Sequence, residues 1–265
     1  MIEKIENKTI DDIYNDIDLY VQKFLDDGIL FFKNLFLSEE NQLNLFKTIG
    51  EKANFKPENK TDIEDHKNTF DRYQKTILEN EIFIEWHLEN IQQENPQVAA
   101  SWSMEKCECP TTSGKTFCVN MSDFYLGLPE KWKSFLQHLT IEINIENDNN
   151  GVVFVDKNIQ KKNIKPVVQE HYLNKKKVLR IPFYEEDYKP YQYNGCELTE
   201  DDLNVFTEIK DYIQKNITDN LDSNNYISWE KGDLVIIDLF TIAHAVSGGF
   251  NVGERIFSRI WGYNK

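Results

Sequence analysis

The hydrophobic positions change period along the chain. Between residues 10 and 26, Ile13, Ile17, Tyr20, Val21 and Phe24 fall on one face of a 3.6-residue repeat, which predicts an amphipathic helix. Gly28 follows where that helix would stop, since glycine takes up the left-handed conformation that closes a helix. The apolar run 29–32 is short and continuous and reads as a buried strand. Ser38 carries a capping hydroxyl and opens a second helix, with Leu43, Phe46 and Ile49 turned inward and Gly50 near its end.

From Ile82 onward short apolar stretches dominate. Strands are expected at 82–87, 98–104, 116–120, 152–155, 166–169, 178–182, 226–229, 233–237, 242–246 and 255–263. Two helices interrupt them. One is entered at Pro129 and buries Trp132, Phe135 and Leu136; the other covers 199–217, with Leu203, Phe206, Ile209 and Ile213 at helical spacing. Many short strands, with helices at the start and in insertions, point to a mainly β sandwich or jelly roll with helical decoration. Strands and helices do not alternate regularly, which argues against a doubly wound sheet. No internal repeat or long linker divides the 265 residues, so one domain over 1–265 is expected.

Composition narrows the function. A formal net charge of −15 repels phosphate backbones and disfavours nucleic acid as a partner. The longest apolar runs, such as 234–237, are far too short to cross a bilayer, and residues 1–7 are charged and lack the apolar core of a signal peptide. No membrane partner and a cytoplasmic location are expected. The four cysteines, Cys107, Cys109, Cys118 and Cys196, contain no C-x-x-C pair. Cys107 and Cys109 form at most half of a zinc site with no second pair to complete it, so reduced thiols are expected.

Five histidines make the search for chemistry short. On a strand, residues i and i+2 share a face, so His87 and Glu89 would present an imidazole and a carboxylate to one metal. His244, ending a strong strand pattern, is the candidate third ligand of a facial triad, the arrangement that binds non-heme iron with open positions. Taken alone, H-x-E is common as a surface pair and His244 fits a core histidine. Arginines downstream lift the pair: Arg255 lies eleven residues past His244 and Arg259 four further on, and arginine grips carboxylates with a two-pronged hydrogen bond. Ser113-Gly114-Lys115-Thr116 ends like a phosphate-binding loop, but Cys109 stands where that motif needs its first glycine and no helical pattern follows. Arg180 alternates with Leu179 and Ile181; it reads as an exposed edge-strand cation or as an anchor for a substrate carboxylate. The tyrosine-rich stretch 184–193 reads as a lid or as an amphipathic surface loop. His66, His138 and His171 read as structural.

These residues, in this order, resemble the taurine dioxygenase group (TauD/TfdA) of iron(II)- and 2-oxoglutarate-dependent oxygenases. The resemblance spans nearly the whole chain. It runs from Asp27-Gly28-Ile29-Leu30-Phe31-Phe32 through Trp86-His87-Leu88-Glu89, the stretch from Pro110 to Phe117, Asn120-Met121 and Leu128-Pro129. It continues through Pro166-Val167-Val168, His171 and Lys177-Val178-Leu179, and ends with the stretch from Gly232 to Asp238, His244, Gly253-Glu254-Arg255 and Arg259. It implies a double-stranded β-helix (jelly roll) core with N-terminal and inserted helices. It also assigns His87, Glu89 and His244 to iron(II), gives the distal carboxylate of 2-oxoglutarate to Arg255 and the Thr116 hydroxyl, and points Arg259 toward substrate or cosubstrate. O2 would be the oxidant, and succinate and CO2 products. Glu89 departs from the usual aspartate, as in the related clavaminate synthase branch; a carboxylate there argues against halogenation. Leu239-Phe240 replaces the usual Asn-Arg. The expected activity is oxidation, by hydroxylation, of a small anionic, amino-acid-like substrate held by Arg259 and Arg180. The alternatives are a desaturating or isonitrile-forming oxidase of the same family and a metal-free β-helix that only binds.

Overall fold

The computed structural model of the protein describes residues 2–65, 81–89, 91, 93, 96–143, 163–223 and 225–265. Two sheets dominate the described chain. The larger has seven strands, with Lys4–Ile5, Ile29–Phe32, Leu234–Asp238, Gln97–Cys107, Arg255–Asn264 and Phe55–Pro57 in that order, and Asp62–Glu64 also paired to Arg255–Asn264. The smaller has four, ordered Asn225–Ile227, Thr116–Asn120, Ile242–Ser247 and Ile82–His87.

Strand alternation explains which residues face what. Ile29, Phe31, Ala100, Met104, Val235 and Ile237 of the large sheet pack with Cys118, Ile227 and Ile242 of the small one, forming the layer between the sheets. Leu30, Phe32, Leu234 and Ile236 point the other way and meet Tyr20, Phe24, Phe46 and Ile49 of the N-terminal helices. Both faces of these central strands are covered, which is why their sequence is continuously apolar rather than alternating. Each such side chain, fully buried, contributes about 1.5–3 kcal/mol.

The first predicted helix is two, Ile10–Asn15 and Ile17–Asp27, broken at Asp16, whose backbone (φ −107°, ψ 22°) leaves helical geometry. Thr9 and Asp12 form a capping box at the start, and Gly28 (φ 79°) closes the end in the left-handed region, as expected. The second helix, Glu39–Lys52, is capped by Ser38, whose Oγ accepts from the Asn41 N–H. It also buries a residue the apolar pattern omits: Gln42 donates to the Ser101 carbonyl and hydroxyl and accepts from the Ser258 hydroxyl at 2.7 Å, tying the helix to the large sheet.

Other expectations shift. A helix, Met121–Gly127, precedes the one at Glu130–Leu136; Asn120 caps it by accepting from the Ser122 and Asp123 N–H groups. Expected strand 166–169 divides into Asn163–Pro166 and Val168–Glu170, and 178–182 shortens to Lys177–Leu179. Leu203 is exposed, whereas Phe206, Ile209 and Ile213 of the helix Glu200–Ile213 are buried. Of the tyrosine-rich stretch, Tyr188–Tyr193 is a strand paired with Leu139–Ile143 and not a loop. The strand expected at 152–155 and His66 lie outside the described residues.

Candidate active site

Polar side chains gather on the inner faces of the two sheets. His244 sits two residues past inward-facing Ile242 and so shares its side of the small sheet. Register places His87 directly opposite His244 on the neighbouring strand, with ring centroids 4.2 Å apart. Trp102, on the facing sheet, lies 5.4 Å from the His244 ring.

Glu89 joins them by a route other than the shared strand face expected from the sequence. The strand ends at His87, Leu88 is buried, and Glu89 lies in the turn beyond. That turn brings its Oε2 to 3.6 Å from His87 Nε2 and 3.9 Å from His244 Nε2. One ligand atom from each residue lies within 4.8 Å of the other two, the one such grouping among the described residues.

The donor set suits a divalent transition metal. His87 Nδ1 lies 2.7 Å from the Glu85 carbonyl, which holds the proton on Nδ1 and leaves the Nε2 lone pair facing the gap. The 3.6 and 3.9 Å separations are too long for hydrogen bonds. Two atoms about 2.0–2.2 Å from a shared ion, at right angles, would lie about 3 Å apart, so closing the set requires side-chain shifts of less than about 1 Å. Burial, together with the charge of His87, pushes His244 down to about 3, keeping it a neutral donor. Burial alone would raise Glu89, but the neighbouring His87 imidazole and the charges of His244 and Arg259 hold it down to about 2. His87 moves the opposite way: burial would lower it, and its Glu89 partner raises it.

Arg255 begins the strand Arg255–Asn264 and is 1% exposed, with Nε and Nη1 buried and without hydrogen-bond partners. Its guanidinium lies 4.7 Å from the Phe250 ring centroid and 5.0 Å from that of Phe257. No carboxylate among the described residues forms an ion pair with it, and burial pushes its pKa down to about 10. A buried cation with idle donors is costly unless an anion meets it. Gly114 is pressed against it: a Cβ there would lie 2.7 Å from Arg255 Cδ, and φ is +57°. Gly114 leads into a strand, as the rejection of a nucleotide loop requires. Thr116, 3% exposed, accepts a 2.9 Å hydrogen bond from Trp229 Nε1 at its Oγ1, which leaves the hydroxyl proton to be donated elsewhere.

The remaining cations are placed differently. Arg259 lies over Trp261 at 4.5 Å and pairs with Glu64 at 3.2 Å, while Glu254 bonds to Asn251 instead. Arg180 is 2% exposed, which overturns the exposed-edge reading. It donates to the Phe240 carbonyl and stacks on that ring at 4.2 Å. Asp238 Oδ1 accepts from the Phe240 N–H at 3.0 Å, and its Oδ2 lies 3.1 Å from His171 Nε2, off the line of a hydrogen bond. Asp238, His171 and Arg180 thus organise the corner where the chain crosses between sheets just before His244. His138 lies just past the end of the helix Glu130–Leu136, its Nδ1 2.8 Å from the Ser134 carbonyl.

Trp229, Trp102 and Glu64 are the site neighbours that sequence reasoning missed. Alternation on strand 97–107 put Trp102 on a face with Ala100 and Met104, but which sheet that face meets was not legible. Trp229 reaches Thr116 across 113 residues, and no local pattern encodes such a pairing.

Among known proteins, a family model described as "Taurine catabolism dioxygenase TauD, TfdA family" matches residues 8–261. No curated protein sequence matches significantly. Among solved structures, a taurine dioxygenase from Burkholderia xenovorans superimposes with a TM-score of 0.65 at 14% identity, covering 95% of this chain and 82% of its own. AAD-2, solved in complex with Mn(II) and N-oxalylglycine, gives 0.66 at 14% identity, covering 99% and 93%.

Proposed function

Because the chain belongs to the TauD/TfdA dioxygenase family, we propose that its sandwich core is the double-stranded β-helix of that family and that His87, Glu89 and His244 bind iron(II) in it. As a member it is a 2-oxoglutarate-dependent dioxygenase that uses iron(II) and O2. When bound, the metal couples oxidative decarboxylation of 2-oxoglutarate to succinate and CO2 with two-electron oxidation of a substrate C–H bond.

The residues divide the remaining work. Arg255 holds the distal carboxylate of 2-oxoglutarate and Thr116 donates its proton to the same group. The observation that carries this reading is the pair of idle, buried Arg255 donors, with Gly114, two residues before Thr116, pressed against the same side chain. Phe250 and Phe257 exclude water from the guanidinium, which strengthens a charge-assisted pair. Trp102 walls the His244 side of the pocket. The substrate is a small anionic, amino-acid-like molecule and the reaction a hydroxylation. Arg259, whose charge reaches Glu89, is the better placed of the two further cations to meet it; Arg180, set against Phe240, is the second.

A panel of free amino acids, N-acyl derivatives and sulfonates, assayed for substrate-dependent succinate release, tests the substrate class. Stimulation by anions that is lost in Arg259→Ala is expected. Stimulation only by neutral or cationic compounds would overturn it.

A further inference from the structure

Beside the cosubstrate pocket lies a thiol pair that the dioxygenase reaction does not use. Cys107 ends the strand Gln97–Cys107 and stands directly opposite Arg255 in the register of the large sheet. Cys109 follows two residues later, and their Sγ atoms are 3.7 Å apart. Both are half-buried, so a small reagent can reach them, whereas Cys118 is buried in the core. The Cys107 thiol also faces the carbonyl of Trp229 at 3.4 Å, the residue whose indole binds Thr116.

We propose that Cys107 and Cys109 are a dithiol–disulfide couple whose oxidation is open when the carboxylate of 2-oxoglutarate is absent from Arg255 and suppressed when it is present. The proposal rests on the assignment of Arg255 to the cosubstrate. Three observations support it. A disulfide needs sulfurs about 2.05 Å apart and Cα atoms within about 6.8 Å. Residues i and i+2 come close to that Cα limit even when the chain is fully extended, and the two Sγ atoms already stand 3.7 Å apart. Arg255 has no carboxylate partner among the described residues, so the thiols are the acidic groups whose charge acts on it. In the free site a hydrogen bond from Cys109 and the charge of Arg255 draw Cys107 below the ordinary thiol range, while Cys109 is pushed up. A carboxylate on Arg255 would cancel that charge, and by linkage a thiolate at Cys107 must weaken carboxylate binding by the same factor.

The chemistry balances with a low-molecular-weight disulfide as oxidant. Cys107 thiolate attacks one sulfur of the reagent, forming a mixed disulfide and releasing one small thiolate. Cys109 then attacks Cys107 Sγ and releases the second. Two protein thiols are oxidised, one reagent disulfide is reduced to two thiols, and the two protein protons end on them.

The test is the rate of oxidation by hydroxyethyl disulfide, a neutral reagent that does not compete for an anion site. It uses Mn(II)-loaded Cys196→Ser protein at pH 7, with and without saturating 2-oxoglutarate. Loss of two hydrogens in the intact mass and peptide mapping of a 107–109 link report the product. Calorimetry on the same sample reports cosubstrate binding. Cancelling the Arg255 charge leaves the Cys109 hydrogen bond in place, so Cys107 becomes less acidic without regaining ordinary thiol acidity; its thiolate fraction falls while its nucleophilicity partly recovers, and a slower oxidation with 2-oxoglutarate bound is expected. In Cys109→Ser the mixed disulfide should persist at Cys107 and its formation should be slowed alike. No 107–109 link, or equal rates despite measured 2-oxoglutarate binding, would overturn the inference alone. Absence of any binding heat in the reduced protein would overturn the cosubstrate assignment and the protection together.

Discussion

Replacing Arg255 by methionine separates what that residue costs the fold from what it does for the cosubstrate. Without an anion, the guanidinium is buried between Phe250 and Phe257 with two donors idle. Methionine fills much of the same volume and has no charge to desolvate. Exchanging buried charge for apolar side chains is worth about 1–4 kcal/mol. At about 2–4 °C per kcal/mol for a chain of somewhat smaller size, the ligand-free variant should melt about 2–16 °C above the parent protein. The reverse holds for binding. Loss of a desolvated charge-assisted pair costs about 2–4 kcal/mol, or roughly 30- to 1000-fold in the dissociation constant of 2-oxoglutarate. The assay is thermal unfolding with Mn(II), with and without 2-oxoglutarate, at pH 6.5, where Cys107 is mostly protonated. The parent should gain Tm on adding cosubstrate and Arg255→Met should not. A variant less stable without ligand, or one that still gains Tm from 2-oxoglutarate, would refute the reasoning.

Further outcomes follow from the same geometry. Gly114→Ala adds a Cβ 2.7 Å from Arg255 Cδ at a residue with positive φ, so it should weaken 2-oxoglutarate binding at least about ten-fold by calorimetry while Mn(II) affinity stays unchanged. Glu89→Ala should lose Mn(II) binding by calorimetry with an unaltered far-ultraviolet circular dichroism spectrum, since Glu89 lies in a turn outside the sheet ladder. Metal affinity should weaken as pH falls: His87 holds its proton to a higher pH than a free imidazole, so the metal must displace that proton. Binding should therefore strengthen tenfold per pH unit below the raised His87 pKa and level off above it, while His244, neutral down to about 3, adds no second proton; a two-proton slope near neutrality would contradict the assignment. Arg180→Ala removes the donor to the Phe240 carbonyl and should lower Tm by several degrees, measured alongside substrate KM to separate its structural part from anchoring.

Local chemistry was legible in the sequence where it acts locally. Gly28 announced its helix end and Ser38 its cap, because each depends on neighbours a few residues away, and the unbroken apolar run 29–32 read as a buried strand. The convergence of His87, Glu89 and His244 was anticipated, although the period-two reason for Glu89 was not: the strand stops at His87 and a turn does the work. What alternation could not supply was the identity of the facing surface. Arg180 read first as an exposed edge-strand cation, because its partner, Phe240, lies 60 residues away. The strand Tyr188–Tyr193 was hidden because its pairing with Leu139–Ile143 spans a long separation and Pro190 in its middle argues against a strand. Glu64, which pairs with Arg259 Nη1, sits on a three-residue strand too short to show a period.

Anaerobic titration of the metal-free protein with iron(II) and then 2-oxoglutarate tests the oxygenase site most directly. The expected result is a weak visible charge-transfer band that appears only when both are present, saturates at one equivalent of each, and is absent in His244→Ala. Iron binding without the band, or a band that survives His244→Ala, would contradict the assignment of His87, Glu89 and His244 as the metal site.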